Sequence, residues 1–185
     1  MSAEMPRSRS TDRRFYGLVT GIVAEPPKGD QSPEGRIPVA LRWYDKSFVL
    51  PRCRVAQLYA GNGFGAFWKP EVGTEVTLAF IHGDMRDPIV LGGLYNGKDR
   101  PAATAPAKGD DKKVLVTKGE HRIVFDDKAQ SITVATKSGT SVTLDGKGSQ
   151  LTIAADTKIT LKARDIEIVA DGGDVTVTGT TIRLN

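Results

Sequence analysis

Apolar positions in the last third of the chain recur as pairs separated by one residue: Ile123/Phe125, Ile132/Val134, Val142/Leu144, Leu151/Ile153, Ile159/Leu161, Ile166/Ile168, Val175/Val177 and Ile182/Leu184. A spacing of two puts both side chains of a pair on one face of a β-strand. The residues between or beside them are mostly polar, as at Thr133, Thr143, Thr152, Thr160, Glu167, Thr176 and Arg183. Successive pairs start 9, 10, 9, 8, 7, 9 and 7 residues apart, with turn residues such as Lys137-Ser138-Gly139, Asp145-Gly146-Lys147-Gly148 and Asp171-Gly172-Gly173 between them. A short, nearly fixed period of this kind marks a repeat architecture.

Each such strand has a narrow apolar face that must be buried against something. A single-chain β-helix uses about three strands per coil, so these segments would complete fewer than three coils, close to the lower limit for a stable stack. Three chains contributing strands to a shared three-sided prism solve the problem better. At ~4.8 Å per layer, one layer per segment gives a rod roughly 38 Å long with a continuous dry core. The expected trimer core is Ile132, Val134, Val142, Leu144, Leu151, Ile153, Ile159, Leu161, Ile166, Ile168, Val175 and Val177. An ordinary β-sandwich also alternates, but its strands are longer and less evenly spaced.

Upstream, strand-like runs occupy Phe15–Glu25, Arg36–Trp43, Arg52–Gln57, Glu75–Phe80 and Pro88–Leu91. Alternation is clear in Ile37/Val39/Leu41 and Val76/Leu78/Phe80. Pro26-Pro27, Gly61-Asn62-Gly63 and Gly92-Gly93 punctuate them. Short strands of this number predict a small closed or partly closed barrel. The predicted fold is therefore all-β, with a flexible tail over 1–14, a barrel over 15–98, a Pro/Ala/Lys/Asp-rich linker over 99–113 and a trimeric β-helix or β-prism over 114–185.

Composition narrows the function classes. The net charge of +4 is weak evidence for nucleic acid because the signs are mixed almost everywhere, and the one basic cluster, Arg7, Arg9, Arg13 and Arg14, reads as a solvated flexible tail. Cys53 is the one cysteine, so neither an intrachain disulfide nor a multi-cysteine metal site is possible. No apolar run follows the basic N-terminal residues as in a signal peptide, and none approaches the ~18 residues of a membrane helix. Folding in the cytosol is expected, with release by some route other than general secretion.

Candidate chemistry is sparse. His82 and His121 lack a second ligand at metal spacing. The carboxylate pairs Asp84/Asp87, Asp110/Asp111 and Asp126/Asp127 fall in turn or linker contexts rather than in an apolar pocket. No Gly-x-Ser-x-Gly elbow occurs. Gly61-Asn62-Gly63-Phe64-Gly65 leads into Ala66-Phe67-Trp68 rather than into a phosphate-binding helix. Arg52 and Arg54 flank Cys53, which would lower its pKa, but a lone thiol on a strand is more often structural. Trp43, Tyr44, Phe48, Tyr59, Phe64, Phe67 and Trp68, with Arg42, Lys46, Arg52, Arg54 and Lys69, offer an alternative reading as a stacking platform for single-stranded nucleic acid. Filling the barrel and its contacts is the plainer reading of the same residues.

The segment Arg54-Val55-Ala56-Gln57-Leu58-Tyr59-Ala60-Gly61-Asn62-Gly63-Phe64-Gly65-Ala66-Phe67-Trp68-Lys69-Pro70-Glu71-Val72-Gly73-Thr74-Glu75-Val76 resembles the signature of the phage baseplate assembly protein V family, whose domain the VgrG spikes of type VI secretion share. The following Gly83-Asp84, Asp87-Pro88 and Leu91-Gly92-Gly93-Leu94-Tyr95-Asn96 match that family's next motif, and Gly17–Val23 resembles its first strand. The resemblance implies an OB-fold barrel followed by a trimeric β-helix. It implies a structural central spike of a contractile phage tail, tailocin or extracellular injection system, a homotrimer that caps the tube and pierces the target envelope on contraction. No enzyme activity, cofactor, metal or nucleic acid is implied, and contact with the target membrane is transient. Assembly in the cytoplasm into a virion tail or extracellular particle is expected. Only about fourteen residues precede the barrel, so a baseplate hub protein is expected to adapt the trimer to the tube. The 99–113 linker is too short for an inserted lysozyme domain. The segment Thr181–Asn185 lacks the His-x-His apex that binds iron in some short spikes. Ile182 and Leu184 are accordingly expected to form a docking end for a PAAR-like tip protein.

Overall fold

A computed structural model of the chain describes residues 14–29, 34–102 and 111–182. Most of the predicted tail, much of the predicted linker and Leu184 lie outside the described residues. The chain divides into two units, Met1–Pro101 and Ala102–Asn185.

The first unit is a closed barrel. Its strands are β1 (Val19–Val23), β2 (Ile37–Ala40), β3 (Val49–Val55), the short pair β4 (Ala60–Gly61) and β5 (Phe64–Gly65), then β6 (Glu75–Phe80) and β7 (Pro88–Gly93). The barrel order is β1-β2-β3-β7-β6, with every neighbouring pair antiparallel except β3 and β7. This all-β closed barrel of five strands agrees with the expected OB fold. Alternation decides which side chains enter it. Along β6, Val76, Leu78 and Phe80 are buried while Glu75, Thr77 and Ala79 are half-buried. Val23, Ile37, Val39, Leu41, Leu50, Cys53 and Val90 complete the core. Pro38 has no N–H to give to a ladder, and the β2–β3 register shifts between Ile37 and Val39. Gly21 lets β1 cross β2 closely, since a Cβ there would lie 2.5 Å from Val39 Cγ1.

The second unit contains β8 (Lys112–Val116), β9 (Arg122–Asp126), β10 (Ser131–Ala135), β11 (Ser141–Asp145) and β12 (Gln150–Ala154), an antiparallel meander in the order β12-β11-β10-β9-β8. β8 begins inside the segment predicted as linker, where the charged run Asp110-Asp111-Lys112-Lys113 masks the apolar Val114-Leu115-Val116 behind it. The apolar pairs from Ile123/Phe125 to Leu151/Ile153 lie on strands of this meander. The pairs from Ile159/Leu161 to Val175/Val177 do not: among the described residues, no ladder pairs residues 155–182 with any strand.

Candidate assembly surface

Register in the meander determines which side chains share a face. One cross-strand row runs Lys113, Phe125, Ile132, Leu144, Leu151, and the next runs Leu115, Ile123, Val134, Val142, Ile153. Nine of these ten residues are apolar. They form one continuous apolar face across all five strands, yet Ile123 is only half-buried and the others remain between 36% exposed at Val142 and 64% at Leu151. The opposite face carries Val114, Val124, Thr133, Thr143 and Thr152 in one row. At one end it carries Lys112, Asp126, Ser131, Asp145 and Gln150, with Lys112 Nζ 3.2 Å from Asp126 Oδ2. Ala135 is the one buried hydrophobic residue of this unit among the described residues. The sheet is thus inverted relative to a self-sufficient domain, with its apolar side toward solvent. Fully burying a Val, Leu, Ile or Phe side chain gives about 1.5–3 kcal/mol, so half-exposed residues in this number leave on the order of 10 kcal/mol per chain unrealised. An exposed apolar patch of this extent marks an interaction surface.

Six of the predicted core residues, Ile132, Val134, Val142, Leu144, Leu151 and Ile153, are brought together on this face. Ile159, Leu161, Ile166, Ile168, Val175 and Val177 are exposed and outside any sheet. Leu115 was not foreseen as part of the face; its signal was the short Val114-Leu115-Val116 run. Ile182 is exposed.

In the barrel, the long motifs are explained by contacts between their members. The Gln57 amide spans the base of the β4–β5 hairpin: it donates to Trp68 O at 3.1 Å and accepts from Trp68 N at 2.8 Å. Gly65 has φ +141 and sits where a Cβ would be 2.5 Å from Tyr59 O, so no side chain fits. The hairpin region presents Leu58, Tyr59, Phe64, Phe67 and Trp68 to solvent. Asn96 Nδ2 donates to Glu75 Oε2 at 2.7 Å, while Asn96 Oδ1 accepts from the backbone of Lys98 and Asp99. That residue ties the exit of the barrel to the start of β6.

Asp84 accepts from the side chain and the backbone N–H of Arg86, and these bonds hold its carboxyl down at about 2. Asp87 instead pairs with Arg54 at 2.7 Å, tying the turn before β7 to β3. Gly83 is buried with φ +75 and accepts at its carbonyl from Phe15 N at 2.9 Å. The two acidic residues of this motif therefore build a turn and do not share a site.

Cys53 is fully buried, and burial pushes its thiol up to about 12, away from any activation by Arg52 or Arg54. His82 and His121 are exposed, and no group of three or more metal-binding side chains exists among the described residues. Five of the seven aromatic residues weighed as a stacking platform fall into two sets of ring contacts. Trp43, Tyr44 and Phe48 join Phe15 and Phe80 through edge-on and tilted ring contacts, with Trp43 Nε1 donating to Thr20 O at 2.8 Å. Tyr59 and Phe64 pair with each other on the hairpin. The first set knits strands and loops together; it is not an open row of rings for successive bases.

Residues 19–95 match the family model of the type VI secretion system/phage-baseplate injector OB domain. The chain is 34% identical over 98 residues to the type VI secretion system spike protein VgrG1a of Pseudomonas aeruginosa, an alignment covering 49% of this chain and 15% of that protein. It is 36% identical over 109 residues to the spike protein VgrG3 of Vibrio cholerae, covering 52% of this chain and 10% of that protein. It is 30% identical over 115 residues to the actin cross-linking toxin VgrG1 of Vibrio cholerae, covering 56% and 10%. The chain thus spans 10–15% of the length of these curated relatives.

Proposed function

We propose that this chain, whose barrel carries the injector OB domain, is the structural spike subunit of a contractile injection baseplate. It acts as a homotrimer that caps the tube and pierces the target envelope on contraction. The observation that carries this reading is the apolar face of the β8–β12 sheet, which its own chain leaves exposed. Three such sheets packed face to face would bury it in a three-sided core and leave the Thr-rich face outward. The role is mechanical: a rod whose strands are hydrogen-bonded along its length transmits an axial load without local unfolding. No catalytic step is assigned.

The family likeness of the barrel supports the injector setting, and the inverted sheet supports self-association. A hub protein at the tube end and a PAAR-like tip protein near Ile182 complete the reading as partners.

Light scattering on the purified chain tests it. The expected mass is about three times the 19.9 kDa of one chain. A species near 19.9 kDa at micromolar concentration overturns the proposal.

A further inference from the structure

We infer that residues 14–18 form a strap that closes one end of the barrel and opens as a unit, ahead of the barrel itself, uncovering an aromatic seat between Trp43, Tyr44 and Phe80.

The strap lies outside the barrel's ladders, which begin on β1 at Val19 opposite Leu78. Its inner side is the Phe15 ring. That ring packs against the barrel core, with centroids 5.7 Å from Trp43, 6.1 Å from Tyr44 and 6.1 Å from Phe80. Phe80 ends β6 and Trp43 follows β2, two strands that are not neighbours in the barrel. Phe15 therefore bridges parts that no ladder joins. Trp43 is fixed independently, since its Nε1 donates to Thr20 O at 2.8 Å. On the outer side, Tyr16 and Leu18 are 68% and 67% exposed, and a Cβ on Gly17 would meet nothing within 4 Å.

The turn that receives the strap is shaped for it. Within that turn Asp84 N donates to Ile81 O, Asp87 N to Asp84 O and Ile81 N to Asp87 O. The Gly83 carbonyl is turned instead to Phe15 N, at 2.9 Å. Reaching this geometry takes two successive left-handed residues, His82 at φ 49 and Gly83 at φ 75. Such a conformation at a non-glycine residue is strained, and strain of this kind collects at the working parts of a structure. Gly83 is needed for a second reason: a Cβ on it would lie 2.9 Å from Arg14 Cβ and 3.2 Å from Phe15 N. The Arg54–Asp87 pair ties the turn to β3. Seat and turn are thus held without the strap, whereas the strap is held chiefly by Phe15.

Contacts concentrated in this way are lost together, in a local opening that costs less than unfolding the core. Anything that draws on the chain ahead of Arg14 pulls on Phe15 before it reaches the β1 ladder. Release of these residues lengthens the chain by about 17 Å, at ~3.4 Å per residue, and leaves the barrel closed. In the spike reading this gives the barrel a yielding mount at its entry, but the strap does not depend on that reading.

Amide hydrogen exchange on the full chain tests the opening. The Phe15 amide is expected to exchange at least roughly tenfold faster than the slowest amides of β6. Low guanidinium chloride should leave that rate flat while the β6 rates climb, because a local opening exposes little surface. A Phe15 amide that exchanges with the slowest β6 amides and climbs with them overturns the inference. Phe15→Ala and a chain starting at Gly17 test the attachment by urea melts of the barrel. The two are expected to share one midpoint below that of the parent, since either change leaves the strap open. A Gly17 chain that fails to fold, or that melts well below Phe15→Ala, makes residues 14–18 an integral part of the barrel and overturns the inference. None of these outcomes depends on whether the chain is trimeric.

Discussion

At the scale of single residues, the barrel's motifs work through pairs that are distant in sequence. Gln57 meets Trp68, and Glu75 meets Asn96. Asp84 is the exception, since its partner Arg86 is two residues away, and it gives a direct handle on acid stability. Its carboxyl is lowered from the ordinary 3.8 to about 2, first by the side-chain bond from Arg86 and then by the Arg86 backbone N–H. A lowered carboxylate stabilises the fold above its unfolded value, and that contribution fades as pH falls from 3.8 and is gone below about 2. Asp84→Asn is therefore expected to reduce stability at neutral pH, with the difference from the parent shrinking as pH drops through this window. Urea melts at low salt across that range measure it; a difference independent of pH would assign the turn's stability to something other than this charge. The group is solvent-exposed, so the effect should also shrink with added salt.

At the scale of elements, the proposed trimer depends on the exposed sheet face. Val134 and Val142 are opposite one another near its centre, while Thr143 lies on the other side of the same strand pair. Val134→Lys is expected to convert the proposed trimer to monomer while leaving the barrel folded, because three like charges would be forced into one apolar core. Thr143→Lys is expected to leave the trimer intact. Gel filtration of both, with near-UV circular dichroism to monitor the barrel, is the check; loss of the trimer in both variants would mean the apolar face is not the contact. Much of the strand layout is legible in the sequence. β6 was expected over Glu75–Phe80 and is found there because a strict two-residue alternation admits one phase. The meander strands were equally legible from their apolar pairs. β8 was missed because charged residues at its start resemble linker composition. Pairings such as Gln57 with Trp68 leave no periodic trace at all, since they depend on the closure of a loop. The pairs after Leu151/Ile153 alternate like those before them, yet among the described residues no ladder includes them.

At the scale of the whole molecule, the two units differ in where their stability resides. The barrel buries Ile37, Val39, Leu41, Cys53, Val76, Leu78 and Val90 completely within one chain. The second unit has Ala135 as its buried hydrophobic residue among the described ones. A core closed within one chain melts independently of concentration, whereas a core made of several chains is stabilised by mass action. Heating the full protein should therefore give a barrel transition that stays fixed when the protein is diluted, alongside an assembly transition that moves. For dissociation of a trimer, a hundredfold dilution weakens assembly by about 2RT ln 100, roughly 5 kcal/mol per trimer, which is enough to shift its midpoint by several degrees. Differential scanning calorimetry at two concentrations, each scanned at two rates, separates this shift from slow, kinetically limited unfolding. A single transition insensitive to dilution at the slow rate would mean that the second unit completes its core within one chain. The exposed face of β8–β12 would then have to be covered by its own residues.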